Sequence, residues 1–247
     1  VGTINRKRDG CYSGKTIGNI WFMGILKEKR TSIKAPKIIA CLSQKGGGGK
    51  STLARCLAVE LTKQKHKVLL VDLDIQQKTS FEWSERRKKL NIKPLVDCQT
   101  CPYFDEKLLK SNYDYLIIDG PARMSKGSLE IARVANLVIQ PVRPSLDDLN
   151  PAIREFNGLF KAGIPKSKLA FLINAVSSVA EEKATRNYLQ KAGYYVFSIS
   201  LPEKVSYREA QNQGLSIGDV KYKRLQEQVK GLVKSILKKL TVNQDNS

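Results

Sequence analysis

The segment from Lys45 to Thr52 reads Lys-Gly-Gly-Gly-Gly-Lys-Ser-Thr and limits the possible folds more than any other part of the chain. Glycine has no Cβ, so four in succession let the backbone turn its N–H groups inward around an anion. Residues 37–42 form a short apolar run before this loop, and residues 53–61 after it repeat apolar side chains at helical spacing. A strand, a glycine loop and a helix in this order predict a phosphate site at the start of the helix.

The residues of this loop have distinct predicted roles. Lys50 is expected to reach the terminal phosphates of a nucleotide, and the Ser51 hydroxyl is placed to bind Mg²⁺. The loop departs from the usual G-x-x-x-x-G-K-[ST] pattern, because Gln44 stands at its first position and Lys45 at its second. The residues predicted to contact the nucleotide are Gly46, Gly47, Gly48, Gly49, Lys50, Ser51 and Thr52.

Two further apolar runs end in acidic residues. Residues 68–71 lead into Asp72 and Asp74, and a strand ending in this way places the two alternate side chains on one face. Residues 115–118 lead into Asp119, and this pattern is typical of an acid at the water shell of a bound metal. Both runs predict buried strands that deliver carboxylates to a metal site.

In their order and spacing, these three motifs resemble the ParA/MinD family of ATPases, whose phosphate loop is the deviant Walker A motif. The resemblance covers about residues 37–240 and implies ATP and Mg²⁺ as cofactors. It also implies that Asp74 positions the attacking water and that Lys45 reaches the nucleotide of a second copy of the chain. The implied catalytic residues are Lys45, Lys50 and Asp74, and the implied metal-site residues are Ser51, Asp72 and Asp119.

Two weaker matches lie in the second half of the chain. Asn174 ends an apolar run where the family has a base-contacting residue, and Pro202 falls in a segment similar to the family's adenine-side loop. Both are therefore candidates for binding the nucleotide. Both are also typical of ordinary strand ends and turns, and the two interpretations stay open.

The remaining pattern alternates strands with helices and predicts an α/β fold with a doubly wound, mostly parallel sheet flanked by helices. At 247 residues the chain is long enough for one well-packed domain, which we expect over residues 37–240. Residues 1–36 would form an N-terminal extension of unknown role, and residues 241–247 a polar tail. Strands are expected at 37–42, 68–72, 94–97, 115–119, 137–140, 169–174 and 195–199, and helices at 51–64, 80–90, 126–134, 145–162 and 181–192.

The extension and the cysteines suggest no additional function. Residues 17–26 are largely apolar but too few to span a bilayer, and we expect no secretory signal. Of five cysteines, only Cys98 and Cys101 stand at metal-ligand spacing. A zinc or iron–sulfur site would need further ligands unless two copies of the chain combined their pairs. Ordinary reduced thiols are the expected alternative, in agreement with a cytoplasmic location.

The charge balance is strongly basic, with 43 Lys and Arg against 23 Asp and Glu and a formal net charge of +20. Such a field attracts polyanions. Residues 219–240 carry seven Lys or Arg against two acids, and apolar residues recur there at three-to-four spacing. We expect this C-terminal helix to pack its apolar stripe on the core and to present Lys230, Lys234 and Lys238 to DNA. Docking on a membrane or on a partner helix stays open as an alternative.

The resemblance implies a ParA-type ATPase that forms a homodimer with ATP, binds DNA without sequence preference and positions a cargo. That cargo would be a plasmid, a chromosome region or a protein body such as a carboxysome, reached through a ParB-like adaptor that stimulates hydrolysis. Such a protein would be cytoplasmic and associated with the nucleoid. The alternative is a MinD-like ATPase that cycles on membranes as a spatial regulator.

Overall fold

The computed structural model describes residues 35–121 and 126–245. Residues 1–34, which hold nearly all of the predicted N-terminal extension and its apolar stretch, lie outside the described residues, as do 122–125 and 246–247. The strands are β1 (Lys37–Cys41), β2 (Val68–Asp72), β3 (Asp97–Thr100), β4 (Tyr115–Asp119), β5 (Leu137–Val142), β6 (Leu169–Val176), β7 (Tyr195–Val196) and β8 (Leu201–Pro202).

Helices connect these strands at nearly every step. They are α1 (Lys50–Lys63), α2 (Thr79–Lys89), α3 (Lys126–Val134), α4 (Leu146–Lys161), α5 (Val179–Lys191), α6 (Val205–Asn212) and α7 (Lys223–Asp245). Two short 3₁₀ segments, Glu106–Lys110 and Lys166–Lys168, lie before β4 and β6. Every crossover predicted to be helical is therefore helical in the structure.

The sheet runs in the order β3-β2-β4-β1-β5-β6-β7, and β8 pairs with β6. Every strand pair within the described residues is parallel. The sheet grows to one side of β1 through β4 and to the other through β5, so the strand order reverses at β1. The loops that follow the carboxyl ends of strands at such a reversal form the usual ligand crevice of this architecture. The doubly wound fold predicted from the sequence is confirmed.

Two apolar cores cover the two faces of the sheet, because alternate residues of each strand point to opposite sides. Ile39 and Cys41 of β1 belong to one core, which α1, α2, α6 and α7 cover. Ile38 and Ala40 belong to the other, which α3, α4 and α5 cover. The central strands are buried on both faces, which explains why they read as continuous apolar runs.

The C-terminal helix packs as predicted but is longer. Its apolar stripe is buried in the first core, and the stripe consists of Leu225, Val229, Leu232, Val233, Ile236 and Leu240. This stripe is therefore not available for a membrane surface or a partner helix. Residues 241–245, assigned from the sequence to a polar tail, continue α7.

The edges of the sheet differ from the prediction. The strand expected at 94–97 lies at Asp97–Thr100 instead. Pro94 has no N–H for a sheet ladder, and the carbonyls of Lys93 and Pro94 accept hydrogen bonds from Arg87. The strand expected at 195–199 extends over two residues, Tyr195–Val196. Helix α6, which is short and largely polar, was not predicted.

Candidate nucleotide site

The phosphate loop joins β1 to α1 at the carboxyl edge of the sheet. Gly47 and Gly49 have φ angles of 80° and 105°, values that favour glycine. A Cβ on Gly49 would also collide with the side chain of Asn174, whose Nδ2 donates to the carbonyl of Gly48 at 2.9 Å. A Cβ on Gly46 or Gly47 would meet no atom within 4 Å, so this part of the loop faces open space. Asn174 thus holds the loop at Gly48 and Gly49, while the loop is open to solvent at Gly46 and Gly47.

Lys50 begins α1 and is largely buried, while Ser51 and Thr52 follow it in the first helical turn. The Ser51 hydroxyl accepts a hydrogen bond from the Thr79 hydroxyl at 3.3 Å. Thr52 Oγ1 accepts from Gln211 Nε2 of α6 at 2.9 Å. The helix start therefore carries the cation and hydroxyls that the motif requires, beside the open end of the loop.

Asp119 ends β4 with one of its carboxylate oxygens unused. Its Oδ2 accepts the Ser80 hydroxyl proton at 2.6 Å, whereas Oδ1 is buried and has no hydrogen-bond partner within the described part of the chain. Burial, with the charge of Asp72, raises the pKa of Asp119 to about 6, although hydrogen bonds from Ser80 and Ser51 lower it. A buried, unpaired carboxylate oxygen is costly unless a ligand completes it.

Asp119 and Ser51 therefore fit a divalent cation. The atoms that these two side chains offer to a cation are hard oxygen ligands, which Mg²⁺ prefers. Asp119 Oδ1 has no hydrogen-bond partner among the described residues, and the Ser51 hydroxyl is close enough to lower the pKa of Asp119.

Asp72 differs from Asp119 because its oxygens are already occupied. Oδ2 accepts the backbone N–H groups of Ser80 at 2.8 Å and Phe81 at 3.0 Å, and Oδ1 accepts that of Asp74 at 3.1 Å. Asp72 thereby holds the start of α2 and the loop after β2. Its predicted role at the metal would be to support the shell from outside.

Asp74 does not share a strand face with Asp72, contrary to the sequence-based expectation. Strand β2 ends at Asp72, and Asp74 lies in the following loop, where its Oδ1 accepts the N–H of Gln77 at 3.0 Å. The loop turns because the backbone N–H of Asp74 bonds to the Asp72 side chain instead of continuing a ladder. The role of Asp74 in positioning water stays a prediction.

Lys45 points away from the loop within one chain. Its Nζ lies 2.8 Å from Asp148 Oδ1 at the start of α4, and its side chain is about half exposed. Burial raises the pKa of Asp148, but hydrogen bonds from Lys45 and Ser145 outweigh it and hold that pKa below its ordinary value. Asp148, which the sequence did not single out, is thus the partner of the signature lysine.

Glu155 supports the loop from α4. Its Oε2 accepts the backbone N–H of Gln44 at 3.0 Å and the side-chain amide of Gln140 at 2.6 Å. Burial raises the pKa of Glu155, although these hydrogen bonds and the charge of Lys50 lower it. Gln44, which replaces the first glycine of the usual motif, is therefore anchored through its backbone and not through its side chain.

The two candidates for the base side occupy different places. Asn174 lies against the phosphate loop, while Pro202 lines a cleft of about 960 Å³ together with Val179, Val205 and Tyr222. Strand β8 brings them near each other in the sheet, because Asn174 is paired with Leu201. Contact of either residue with a base stays a prediction.

The remaining candidates are easily placed. Lys230, Lys234 and Lys238 are exposed on the face of α7 opposite its buried stripe. Cys98 packs on the core of one sheet face and Cys101 on the other, so the pair cannot share a metal. No group of His, Cys, Asp and Glu in residues 35–121 and 126–245 is arranged to hold a metal ion through three or more such side chains.

Several residues that the fold brings to this site carry no recognisable motif in the sequence. They are Arg55, Thr79, Ser80, Asp148, Glu155 and Gln211. One signal was available: Thr79 and Ser80 follow the acidic motif and begin a helix, where hydroxyl residues are common. The others are separated from their partners by tens of residues, and no spacing rule connects them.

Comparison with known proteins places these observations in context. A family model described as the CobQ/CobB/MinD/ParA nucleotide binding domain matches residues 39–217. The chain is 28% identical over 190 residues to maintenance of carboxysome distribution protein A of Halothiobacillus neapolitanus (strain ATCC 23641 / c2), covering 72% of this chain and 85% of that protein.

Solved structures agree in fold. The structure of apo McdA from Cyanothece has a TM-score of 0.64 at 20% identity, covering 81% of this chain and 99% of that one. The septum site-determining protein MinD of Pyrococcus horikoshii OT3, complexed with Mg-ADP, has a TM-score of 0.63 at 20% identity, covering 84% and 98%. Across the described residues, none of the helices is long and apolar enough to cross a bilayer.

Proposed function

The chain belongs to the CobQ/CobB/MinD/ParA nucleotide-binding family, and from that premise we propose that it is a Mg²⁺-dependent ATPase that positions a cargo on DNA. The observation that carries the proposal is the phosphate loop: its open glycines precede Lys50 and Ser51, and Ser51 lies close to Asp119, whose Oδ1 has no partner within the described residues. This arrangement offers a cation, backbone N–H groups and hard oxygen ligands together. A nucleoside triphosphate with Mg²⁺ requires this combination.

In this proposal Ser51 and Asp119 hold Mg²⁺, which neutralises phosphate charge when bound. Lys50 binds the terminal phosphates, and Gly46, Gly47, Gly48 and Gly49 present their backbone N–H groups. Asp72 fixes the start of α2 and the loop that carries Asp74, so that Asp74 can orient a water molecule. Asn174 and Pro202 are proposed to lie on the base side.

Nucleotide binding and turnover test the enzymatic part. Lys50→Ala should weaken ATP binding by about 30-fold or more, because truncating one partner of a buried charge pair costs at least 2 kcal/mol. Asp74→Ala should keep ATP binding and lose turnover. Lys161→Ala, an exposed lysine at the end of α4, serves as the matched control and should behave like the parent. Turnover by Asp74→Ala at the parental rate would remove Asp74 from the mechanism.

We propose that ATP assembles a homodimer through Lys45. Within one chain the ammonium of this lysine contacts Asp148 and, at 3.5 Å, the carbonyl of Asp147, and the lysine side chain is about half exposed. Such contacts cost little to exchange for a phosphate of the partner. Light scattering of the Asp74→Ala variant with ATP should report roughly twice the mass seen without nucleotide, by mass action. Adding Lys45→Ala should restore the monomer, and a stable dimer of the double variant would refute this role.

We propose further that the ATP-bound dimer binds duplex DNA without sequence preference. The net charge of +20 and the exposed lysines of α7 support this part of the proposal. Each neutralised phosphate contributes a slope of about −0.9 to log affinity against log salt, so about six contacts predict a loss of roughly three decades over a fourfold rise in salt. Two unrelated duplexes should give nearly the same affinity, as measured by fluorescence anisotropy.

A charge-matched pair of variants locates the surface. Replacing Lys230, Lys234 and Lys238 by Glu should release the dimer from DNA at physiological salt. The control replaces Lys161, Lys183 and Lys191 by Glu, which changes the net charge equally on exposed positions of α4 and α5. These helices cover the other face of the sheet. Equal losses in both variants would mean that net charge, not the α7 surface, controls binding.

The cargo is proposed from the relatives. Because a similar protein maintains carboxysome distribution, we propose that this chain positions a protein body of that kind through an adaptor, in the cytoplasm and on the nucleoid. Fluorescence imaging of cells should show regularly spaced bodies with the parent and clustered bodies with Lys50→Ala. Unchanged spacing in the variant would reject the positioning role while leaving the ATPase proposal intact.

A further inference from the structure

Arg55 lies behind the proposed magnesium site, on the face of α1 that packs against α2 and α6. It is the fifth residue after Lys50, and its guanidinium makes two side-chain hydrogen bonds. Nε donates to Ser80 Oγ at 3.1 Å, and Nη1 donates to Gln211 Oε1 at 2.9 Å. Its Cζ also lies 5.7 Å from the centre of the Trp83 ring. The planar group is therefore fixed by three side chains, two on α2 and one on α6.

The bond to Ser80 determines where the hydroxyl proton of Ser80 points. A serine hydroxyl has one proton and two lone pairs. Because Arg55 can only donate, Ser80 Oγ must accept from it, and its own proton goes to Asp119 Oδ2 at 2.6 Å. This chain of bonds occupies Oδ2 of Asp119, while Oδ1 has no partner in the part of the chain that the structure describes.

The bond to Gln211 connects the same arginine to the phosphate loop. Arg55 requires the amide oxygen of Gln211, so the amide nitrogen must face the other way. There it donates to Thr52 Oγ1 at 2.9 Å. A single guanidinium thus connects α6, the first turn of α1 and, through Ser80, the acid at the end of β4.

We propose that Arg55 is a positioning residue for the Mg²⁺–nucleotide complex. It holds Ser80 so that Oδ1 of Asp119 remains directed to the cation, and it holds Gln211 against Thr52. This inference rests on the proposed function of the same site. It assigns a role to a side chain that neither binds the nucleotide nor touches Asp119 directly.

A purely electrostatic role for Arg55 predicts the opposite effect of its removal on Mg²⁺ binding. If Arg55 served only as a positive charge near Asp72 and Asp119, removing that charge would strengthen Mg²⁺ binding, and lysine would replace arginine fully. If the geometry matters, lysine fails, because an ammonium cannot supply two donors in the fixed fork that Ser80 and Gln211 require. Lysine and glutamine at position 55 separate the two cases.

The experiment measures the affinity of a fluorescent ATP analogue with Mg²⁺ and with EDTA, for the parent, Arg55→Lys and Arg55→Gln. The quantity compared is the dissociation constant in EDTA divided by the dissociation constant with Mg²⁺, so a high ratio means that Mg²⁺ strengthens ATP binding. We expect both variants to lower this ratio about tenfold, as is typical when a group supporting a metal ligand is lost. The affinity in EDTA should stay near that of the parent. A parental ratio for Arg55→Lys with a raised ratio for Arg55→Gln would overturn the proposal in favour of charge alone.

Two measurements separate positioning from general destabilisation and from failure of the proposed function. Urea unfolding without nucleotide reports the stability of each variant, and a structural role alone would change the midpoint without changing the ratio. Gln211→Ala removes the anchor of Arg55 together with the hydrogen bond to Thr52, but it keeps the bond from Arg55 to Ser80. It should therefore lower the ratio less than Arg55→Lys does and add little in the double variant. Parental ratios in folded Arg55→Lys and Gln211→Ala refute the inference alone. A parent that binds ATP equally with Mg²⁺ and EDTA refutes the magnesium site itself.

Discussion

Two buried groups of charged residues lie on the same side of the sheet, and they differ in whether the carboxylate oxygens have partners within the protein. The arginine cluster comprises Arg87, Asp219, Lys63 and Glu60. Every carboxylate oxygen of Asp219 has a partner: Lys63 binds Oδ1 at 2.8 Å, and Arg87 and the N–H of Ser216 bind Oδ2 at 3.0 and 2.9 Å. The acid pair comprises Asp72 and Asp119, and one oxygen of Asp119 has no partner among the residues that the structure describes.

The difference distinguishes a structural cluster from the proposed magnesium site. Arg87 is fully buried and also donates to the carbonyls of Lys93, Pro94 and Gly214, which joins the end of α2 to the loop before α7. Both oxygens of Asp219 are thus occupied by partners within the protein. In the acid pair, Oδ1 of Asp119 has no hydrogen-bond partner among residues 35–121 and 126–245, and burial raises the pKa of this carboxyl.

The largest effect should come from breaking the arginine cluster. Arg87→Met deprives the largely buried Asp219 of one of its two cationic partners and releases three carbonyls, so the free energy of unfolding should fall by about 3–5 kcal/mol. Urea unfolding without nucleotide measures this loss. Lys88→Met, an exposed neighbour on the same helix, is the control and should change little. Comparable stability of Arg87→Met and the parent would contradict the structural assignment.

The acid pair should respond in the opposite direction. Burial raises the pKa of Asp119 to about 6, so its ionised form is disfavoured in the folded chain. Asp119→Asn should therefore raise the stability of the nucleotide-free protein, by up to about 3 kcal/mol at neutral pH. The gain should disappear as pH falls from about 6 to about 4, where the parental carboxyl is protonated in both states. The same variant should lose the Mg²⁺ dependence of ATP binding.

Replacing Asp219 by Asn should change the stability with the opposite sign, and this change should also depend on pH. Burial raises its pKa, but the hydrogen bonds from Lys63 and Ser216, with the charges of Lys63 and Arg87, lower it below the ordinary value. Asp219→Asn should cost about 1–2 kcal/mol at neutral pH, because charged hydrogen bonds are lost. That cost should be present above about pH 4 and vanish as the parental carboxylate is protonated at lower pH. Unfolding curves of both Asn variants across pH test the two signs together.

The smallest effect concerns the ion pair between Lys45 and Asp148. Because Lys45 is about half exposed, Asp148→Asn should change the free energy of unfolding by less than about 1 kcal/mol. A larger loss would mean that this pair, like the arginine cluster, has a structural role. A small loss with easier ATP-dependent dimerisation would support its proposed exchange for the partner's phosphate.

The central sheet and the phosphate loop could be predicted because their signals are local. Strands such as β4 are buried on both faces and read as unbroken apolar runs, and the loop is specified by eight consecutive residues. The edge strand β3 was misplaced because it is short, polar and only partly buried. Its position follows from pairing with β2.

The supporting residues of the site could not be predicted for a different reason. Ser80 lies 39 residues from Asp119, and Gln211 lies 156 residues from Arg55 and 159 from Thr52. Their contacts exist only after three helices have packed on one face of the sheet. An arginine on α1 and a glutamine on α6 look like surface residues until that packing brings them together.

Trp83 connects the two groups of charges and gives them an optical readout. Its ring is fully buried between neighbours of both kinds, 5.7 Å from the guanidinium of Arg55 and 5.6 Å from that of Arg87, and its N–H donates to the carbonyl of Leu215. The chain has two tryptophans, and Trp21→Phe would leave Trp83 as the single emitter. The intensity of its emission should then change when ATP and Mg²⁺ bind near Arg55. Its emission maximum should move to longer wavelength when the protein unfolds and the contact with Arg87 is lost. One fluorophore in the native sequence would thus report ligand arrival and global unfolding as two distinct spectral changes.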